Sequence, residues 1–231
     1  TPIEWEGRWR TLEQSWSFSP LMENYTTVWN QLNFPRLLTN TFLISLFSTI
    51  GAVLSSILVA YGFARFRFPG RNVFFFILLG TIILPNQVTL LPTYVIFTWL
   101  GWNGTWLPLI VPHFFANAFN VFLLRQFFQT LPMELEEAAR LDGANEWQIF
   151  RRVMLPLAKP GIIALTLLTA LWSWNDFLWP LVVSGNVNSM PLSVGLSLLT
   201  DLRLRDDAPA EEIERMLAQA ARSIGSKVRG Y

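Results

Sequence analysis

The sequence predicts an all-α, polytopic membrane bundle, and three observations carry that prediction. Only 14% of its 231 residues are charged and 52% are hydrophobic, whereas a soluble domain carries roughly a quarter charged residues. Four stretches, residues 37–62, 73–100, 105–124 and 160–183, have the length and apolar character that a helix needs to cross a bilayer, about 20 residues. The Arg and Lys residues between them gather in alternate connections, as expected of cytoplasmic loops. Eleven Trp and 19 Phe suit a lipid solvent, Trp at its interfaces and Phe in its interior. A net charge of +1 gives no reason to expect a nucleic-acid partner, and the lack of Cys excludes disulfides and thiolate metal sites.

Residues 1–36 are mixed, rich in Trp, Glu and Ser, and read as an extracytoplasmic tail. The chain begins with Thr1 and shows no charged n-region followed by an apolar core, so no signal peptide is expected and the start reads as incomplete. Arg65, Arg67 and Arg71 place the connection after the first span in the cytoplasm. The second and third spans contain Pro85, Pro92, Pro108 and Pro112. Each proline removes a backbone hydrogen bond and crowds the previous turn, which reads either as a packing kink or as a break beside a cavity. The connection at Gly101-Trp102-Asn103-Gly104 has no basic residue and lies among Trp99, Trp102 and Trp106, an outer aromatic belt. Trp172, Trp174 and Trp179 put the end of the fourth span at that outer level. Residues 201–231 form a charged tail of unassigned role, with an amphipathic pattern over 208–229.

The long connection 125–160 carries Arg125, Arg140, Arg151, Arg152 and Lys159 and is therefore cytoplasmic. Thr130, Pro132 and the acids Glu134, Glu136 and Glu137 form a helix start. Gly143 ends that helix with a left-handed residue, Asn145 and Gln148 open a second one as a capping box, and Pro156 is expected to stop it. Ala138 and Ala139 permit close approach, and Leu135, Leu141, Ile149, Phe150 and Val153 offer apolar contact that no lipid covers. Such a hairpin either docks a partner or folds back on its own spans.

Glu137-Ala138-Ala139, three residues, Gly143, nine residues, then Val153-Met154-Leu155-Pro156 resembles the EAA loop of ABC-importer membrane subunits, with Val153 in place of isoleucine. Asn40-Thr41, Ala64-Arg65-Phe66-Arg67-Phe68-Pro69-Gly70, Leu123-Leu124-Arg125-Gln126-Phe127-Phe128 and Trp174-Asn175-Asp176-Phe177-Leu178-Trp179-Pro180 are similar to the carbohydrate branch, in particular the second permease of maltose-type systems. The resemblance covers roughly residues 20–200. It implies a type I ABC importer fold with six spans, of which about four fall in this sequence, and truncation accounts better than divergence for the other two.

The resemblance implies a permease subunit for a sugar or oligosaccharide in a bacterial or archaeal plasma membrane, with residues 37–200 as the permease domain. Its partners would be a second permease, two copies of a cytoplasmic ATPase and an extracytoplasmic sugar-binding protein. The chain itself would catalyse nothing and bind no cofactor or metal, ATP and Mg being held by the ATPase. Glu137 would meet basic groups of the ATPase or serve only the helix dipole, Ala138 and Ala139 would allow close packing, and Gly143 would set the turn. Leu155 and Pro156 would fix the exit into the next span.

For the solute path, His113, Asn117 and Asn120 fall at helical spacing on the third span and share a face, facing either the path or a neighbouring helix. Asn175 and Asp176, the latter the only acid within an apolar span, are candidates for the path wall, a binding-protein contact or an interhelical tie. An ion-coupled transporter would need more ionisable groups in the spans than Asp176, and an intramembrane enzyme would need a paired constellation. A secondary transporter and a membrane scaffold without transport activity remain the alternatives.

Overall fold

A computed structural model of the chain describes Trp29, residues 33–185 and residues 189–203, with side chains described through residue 197. Nearly all of the tail 1–36 and the amphipathic pattern at 208–229 lie outside the described residues. All described regular elements are helical. They are α1 (Phe34–Arg65), α2 (Arg71–Ile83), α3 (Asn86–Trp99), α4 (Leu107–Ile110), a 3-10 segment (Val111–Phe115) and α5 (Ala118–Thr130). The two-helix loop follows as α6 (Glu134–Leu141), α7 (Glu146–Ile149), a π-helical turn (Phe150–Met154) and α8 (Leu155–Leu157). The chain then returns through α9 (Lys159–Asn175), α10 (Leu178–Val183) and α11 (Leu192–Arg203), the last an element that the span assignment does not include.

Two helical stretches, Phe34–Arg65 and Leu107–Thr130, are long and apolar enough to cross a membrane, and two bent pairs raise the number to as many as four. The proline question divides by position. At Pro85 the second span bends by 99° between α2 and α3, whereas Pro92 sits inside α3 without ending it. Pro108 occupies the first turn of α4, where its missing N–H costs nothing.

Three expectations need correction. The third span is not one regular helix: its backbone leaves helical geometry at Ala116, which has φ 58° and ψ 136°. The fourth does not run to residue 183, because α9 ends at Asn175 and extended backbone at Asp176 precedes α10. Pro156 does not stop its helix. The preceding turn widens so that the Leu155 N–H bonds the Phe150 carbonyl, and the Ala158 N–H reaches Met154 at 2.9 Å. This π-type spacing accommodates the proline, which has no N–H to give. The chain turns instead at Ala158, where the loop helix and α9 meet at 73°.

Helix α1 is the hub. Its buried face is built from small and hydroxylated residues, including Ser48, Gly51, Ala52, Ser56 and Ala60, the composition that lets membrane helices approach closely. A Cβ at Gly51 would lie 2.5 Å from the Phe114 ring, so the broken third span reaches α1 only because residue 51 is glycine. Hydroxyls on α1 also satisfy the backbone freed by that break. Ser48 donates to the Leu109 carbonyl at 2.8 Å, and the amides of Ala116 and Asn117 donate to Ser55 and Ser56 at 3.0 and 3.3 Å. Irregular backbone inside a membrane protein survives only with such partners.

The main core joins α1 (Val53, Ile57, Ala60), α5 (Val121, Leu124, Phe128), the loop (Ile149, Phe150, Met154) and α9 (Leu165). Tyr61 packs its ring against those of Phe66, Phe128 and Phe150 at 5.5, 5.6 and 4.8 Å. One side of the loop is therefore part of the bundle core.

Candidate docking loop and solute path

The turn of the loop is built as the sequence predicts. Gly143 has φ +81°, and the amides of Gly143 and Ala144 bond the carbonyls of Arg140 and Ala139, both at 3.0 Å. This is a Schellman closure, which requires a left-handed residue at its centre. Asn145 caps the Gln148 amide and Gln148 returns the bond to the Asn145 amide, both at 2.9 Å. Arg140 and Glu146 straddle the glycine and pair through two bonds of 2.9 and 3.1 Å. Glu146 holds the Arg140 guanidinium above its already high ordinary value, so it remains charged.

Helix α6 has its faces reversed relative to a solvated hairpin. Its apolar Leu135 and Leu141 point outward, Leu141 being 90% exposed, while the carboxylate of Glu136 is 2% exposed and points in. Glu134, Glu137 and Ala138 share the outward face, and Ala139 packs on the core. The two alanines of the motif therefore differ in setting, Ala138 on the outer surface and Ala139 partly buried against the core. Ile149 and Phe150, expected as exposed apolar contacts, are buried instead, because they pack into the main core with residues of α1 and α5. Trp147, 61% exposed, takes their place on the outer surface. Leu155 is half-buried against the core and Pro156 is exposed.

Glu136 is the residue that sequence reasoning did not single out. Its Oε1 lies 3.0 Å from Nε of Arg65, the last residue of α1, and Oε2 lies 4.0 Å from Arg140. Arg65 also donates to the carbonyls of Phe128 and Leu131 at 2.6 and 2.8 Å, closing the C-terminal end of α5. Burial pushes the Glu136 carboxyl above the usual carboxylate range, against the opposing pull of Arg65 and Arg140. A detectable signal exists in the sequence: Glu136, Ala139 and Gly143 share a helical phase opposite to Glu134, Glu137, Ala138 and Leu141.

The five candidate path residues separate. His113 and Asp176 line one crevice together with Thr41, Ile44, Ser45 and Ser173. Its interior of about 10 Å³ admits about one water molecule. The backbone carbonyl of Asp176 accepts from Ser193 at 2.7 Å. The break at Ala116 removes Asn117 from the expected shared face. Asn117 caps α5, accepting from the Phe119 amide at 2.9 Å, whereas Asn120 is buried and donates to Thr169 on α9 at 3.3 Å. Asn175 turns back on its own helix, donating to the Leu171 carbonyl at 2.7 Å. Beside the turn at residues 101–104, Trp102 stacks on Phe97 at 5.4 Å, and Trp179 donates to the Pro108 carbonyl at 3.1 Å.

No group of three or more His, Cys, Asp or Glu able to hold a metal occurs among the described residues. The chain is 39% identical over 174 residues to the sn-glycerol-3-phosphate transport system permease protein UgpE of Salmonella typhi, covering 73% of this chain and 62% of that protein. Its counterpart in Brucella suis biovar 1 (strain 1330) is 37% identical over 170 residues, covering 74% and 60%. The chain thus spans about three fifths of the length of these curated relatives. A solved bacterial ABC transporter involved in the import of the acidic polysaccharide alginate contains a chain that superposes with a TM-score of 0.72 at 28% identity, over 89% of this chain and 74% of that one. Residues 51–218 match the family described as binding-protein-dependent transport system inner membrane component, and the chain belongs to that family.

Proposed function

We propose that this chain is a membrane-spanning subunit of an ATP-driven importer in a bacterial inner membrane, and that the loop from Met133 to Leu157 docks it on a cytoplasmic ATPase. The observation that carries this reading is the reversed α6. Leu135, Ala138, Leu141 and Trp147 are displayed to water while Glu136 is withdrawn beneath them, an arrangement that wastes apolar burial unless a partner covers it. Glu137 stands on that face, where it is free to meet a basic group of the partner. Gly143 sets the turn, and Ala138 lets a partner's backbone approach.

The assembly would add a second permease, a second ATPase copy and an extracytoplasmic binding protein, with ATP and Mg bound by the ATPase. The solute would be a sugar or oligosaccharide in the broad sense of a polyhydroxylated compound. Relatives named for sn-glycerol-3-phosphate and for alginate support that class. The His113 and Asp176 crevice belongs to the outer side of the path and would have to widen to contact such a solute.

In the complete importer, Glu137→Arg is expected to reduce ATPase co-purification and abolish uptake. Unchanged association together with normal uptake of a binding-protein-delivered solute would refute the docking assignment.

A further inference from the structure

We propose that Arg65 is a positioning residue that joins the docking loop to helix α1, with Glu136 as its counterpart, so that displacement of the loop is passed into the bundle through this pair; the proposal rests on the importer reading above. Three elements meet at one guanidinium. It ends α1, closes the α5 carbonyls of Phe128 and Leu131, and faces the Glu136 carboxylate of α6, with side-chain exposures of 4% for Arg65 and 3% for Glu136.

Stability alone is a poor reason for such a pair. Desolvating two charges offsets most of their attraction, and apolar side chains of similar size commonly serve a core as well. Glu136 is also unnecessary for the helix dipole, since Glu134 and Glu137 stand in the same first turn. What the pair supplies is attachment. Nη2 of the guanidinium is fixed on two carbonyls, and its Nε lies 3.0 Å from Oε1 as a buried ion pair without hydrogen-bond alignment.

Helix α1 is suited to receive a displacement. It runs unbroken over 32 residues, about 48 Å, while the second span bends at Pro85, the third breaks at Ala116 and the loop exits to α9 through a 73° turn. At its far end, Asn40 donates to the Met190 carbonyl at 2.9 Å and Thr41 accepts from the Leu192 amide at 2.7 Å. Thr41 and Ser45 also line the crevice that holds His113 and Asp176. One rigid helix thus runs from the loop joint to the outer polar crevice.

The test uses the complete importer reconstituted in proteoliposomes, with Arg65→Gln, Arg65→Lys, Glu136→Gln and the exchange Arg65→Glu with Glu136→Arg. The ATPase is expected to stay bound and the KM for ATP to stay unchanged. Solute moved per ATP should fall on the order of tenfold for Arg65→Gln and Glu136→Gln, the usual size of coupling between sites. Arg65→Lys should recover part of it, because a cationic donor remains. The charge exchange should fail to rescue, because a carboxylate at position 65 would face two carbonyls. Wild-type stoichiometry in the neutral variants would overturn the proposal, as would equal losses for Lys and Gln that track lowered thermal stability. Loss of the ATPase from Glu136→Gln assemblies would assign the pair to docking and overturn the joint. A wild-type chain that binds no ATPase would overturn the importer reading instead.

Discussion

Replacing Gly143 isolates the conformational energy of the docking turn. Its φ of +81° lies in the left-handed region, and a Cβ added there meets nothing within 4 Å. Gly143→Ala therefore carries no internal clash, and its cost is the left-handed backbone of an L-residue, about 1–2 kcal/mol. Gly143→Asn should cost less, because asparagine enters this region more readily. The bonds at risk are those of the Gly143 and Ala144 amides to Arg140 and Ala139. If these amides exchange through local opening, a loss of one to two kcal/mol accelerates their deuterium uptake about 5- to 30-fold. Hydrogen exchange on the chain in nanodiscs without ATPase reads this directly, with the order Gly slowest, Asn intermediate and Ala fastest. Equal protection in Gly143 and Gly143→Ala, or a faster Asn variant than Ala variant, would refute the argument that a left-handed residue closes the loop.

Ala116 is strained for the same reason, at φ 58° and ψ 136°; Ala116→Gly should raise the melting temperature, releasing about 1 kcal/mol of the 1–3 that such backbone stores. The two sides of the loop should respond oppositely to truncation. Ile149→Ala removes a fully buried side chain and should destabilise the chain by about 2–5 kcal/mol, whereas Leu141→Ala should stay within about 0.5 kcal/mol in the free chain while weakening ATPase binding. Thermal melts paired with ATPase pull-down separate these effects.

The elements legible in the sequence are those whose signals are local. Gly143 and the Asn145 and Gln148 box each follow from a residue's own backbone or capping preference, and the structure contains the corresponding turn and cap. What could not be read were properties set by tertiary contact. Asn117 and Asn120 keep helical spacing in the sequence, but Ser55 and Ser56 stabilise a break at Ala116, a residue that gives no local warning. Pro156 looks like a stop signal, yet a π-type turn placed one residue earlier absorbs it. Glu136 and Glu137 are chemically identical neighbours. Helical phase separates them, but which phase turns inward depends on the fold, where Arg65, 71 residues before Glu136 in the chain, pairs with the withdrawn one.

Because the chain contains no Cys, a single Leu141→Cys substitution gives an unambiguous cross-linking site on the outward face of α6. In the importer proposed above, a short bifunctional thiol reagent should join this position to cysteines introduced in the ATPase, and Phe150→Cys on the buried side should give no such product. Cross-linking from position 150 but not from position 141, or from neither while uptake is intact, would contradict the assignment of this face as the ATPase contact.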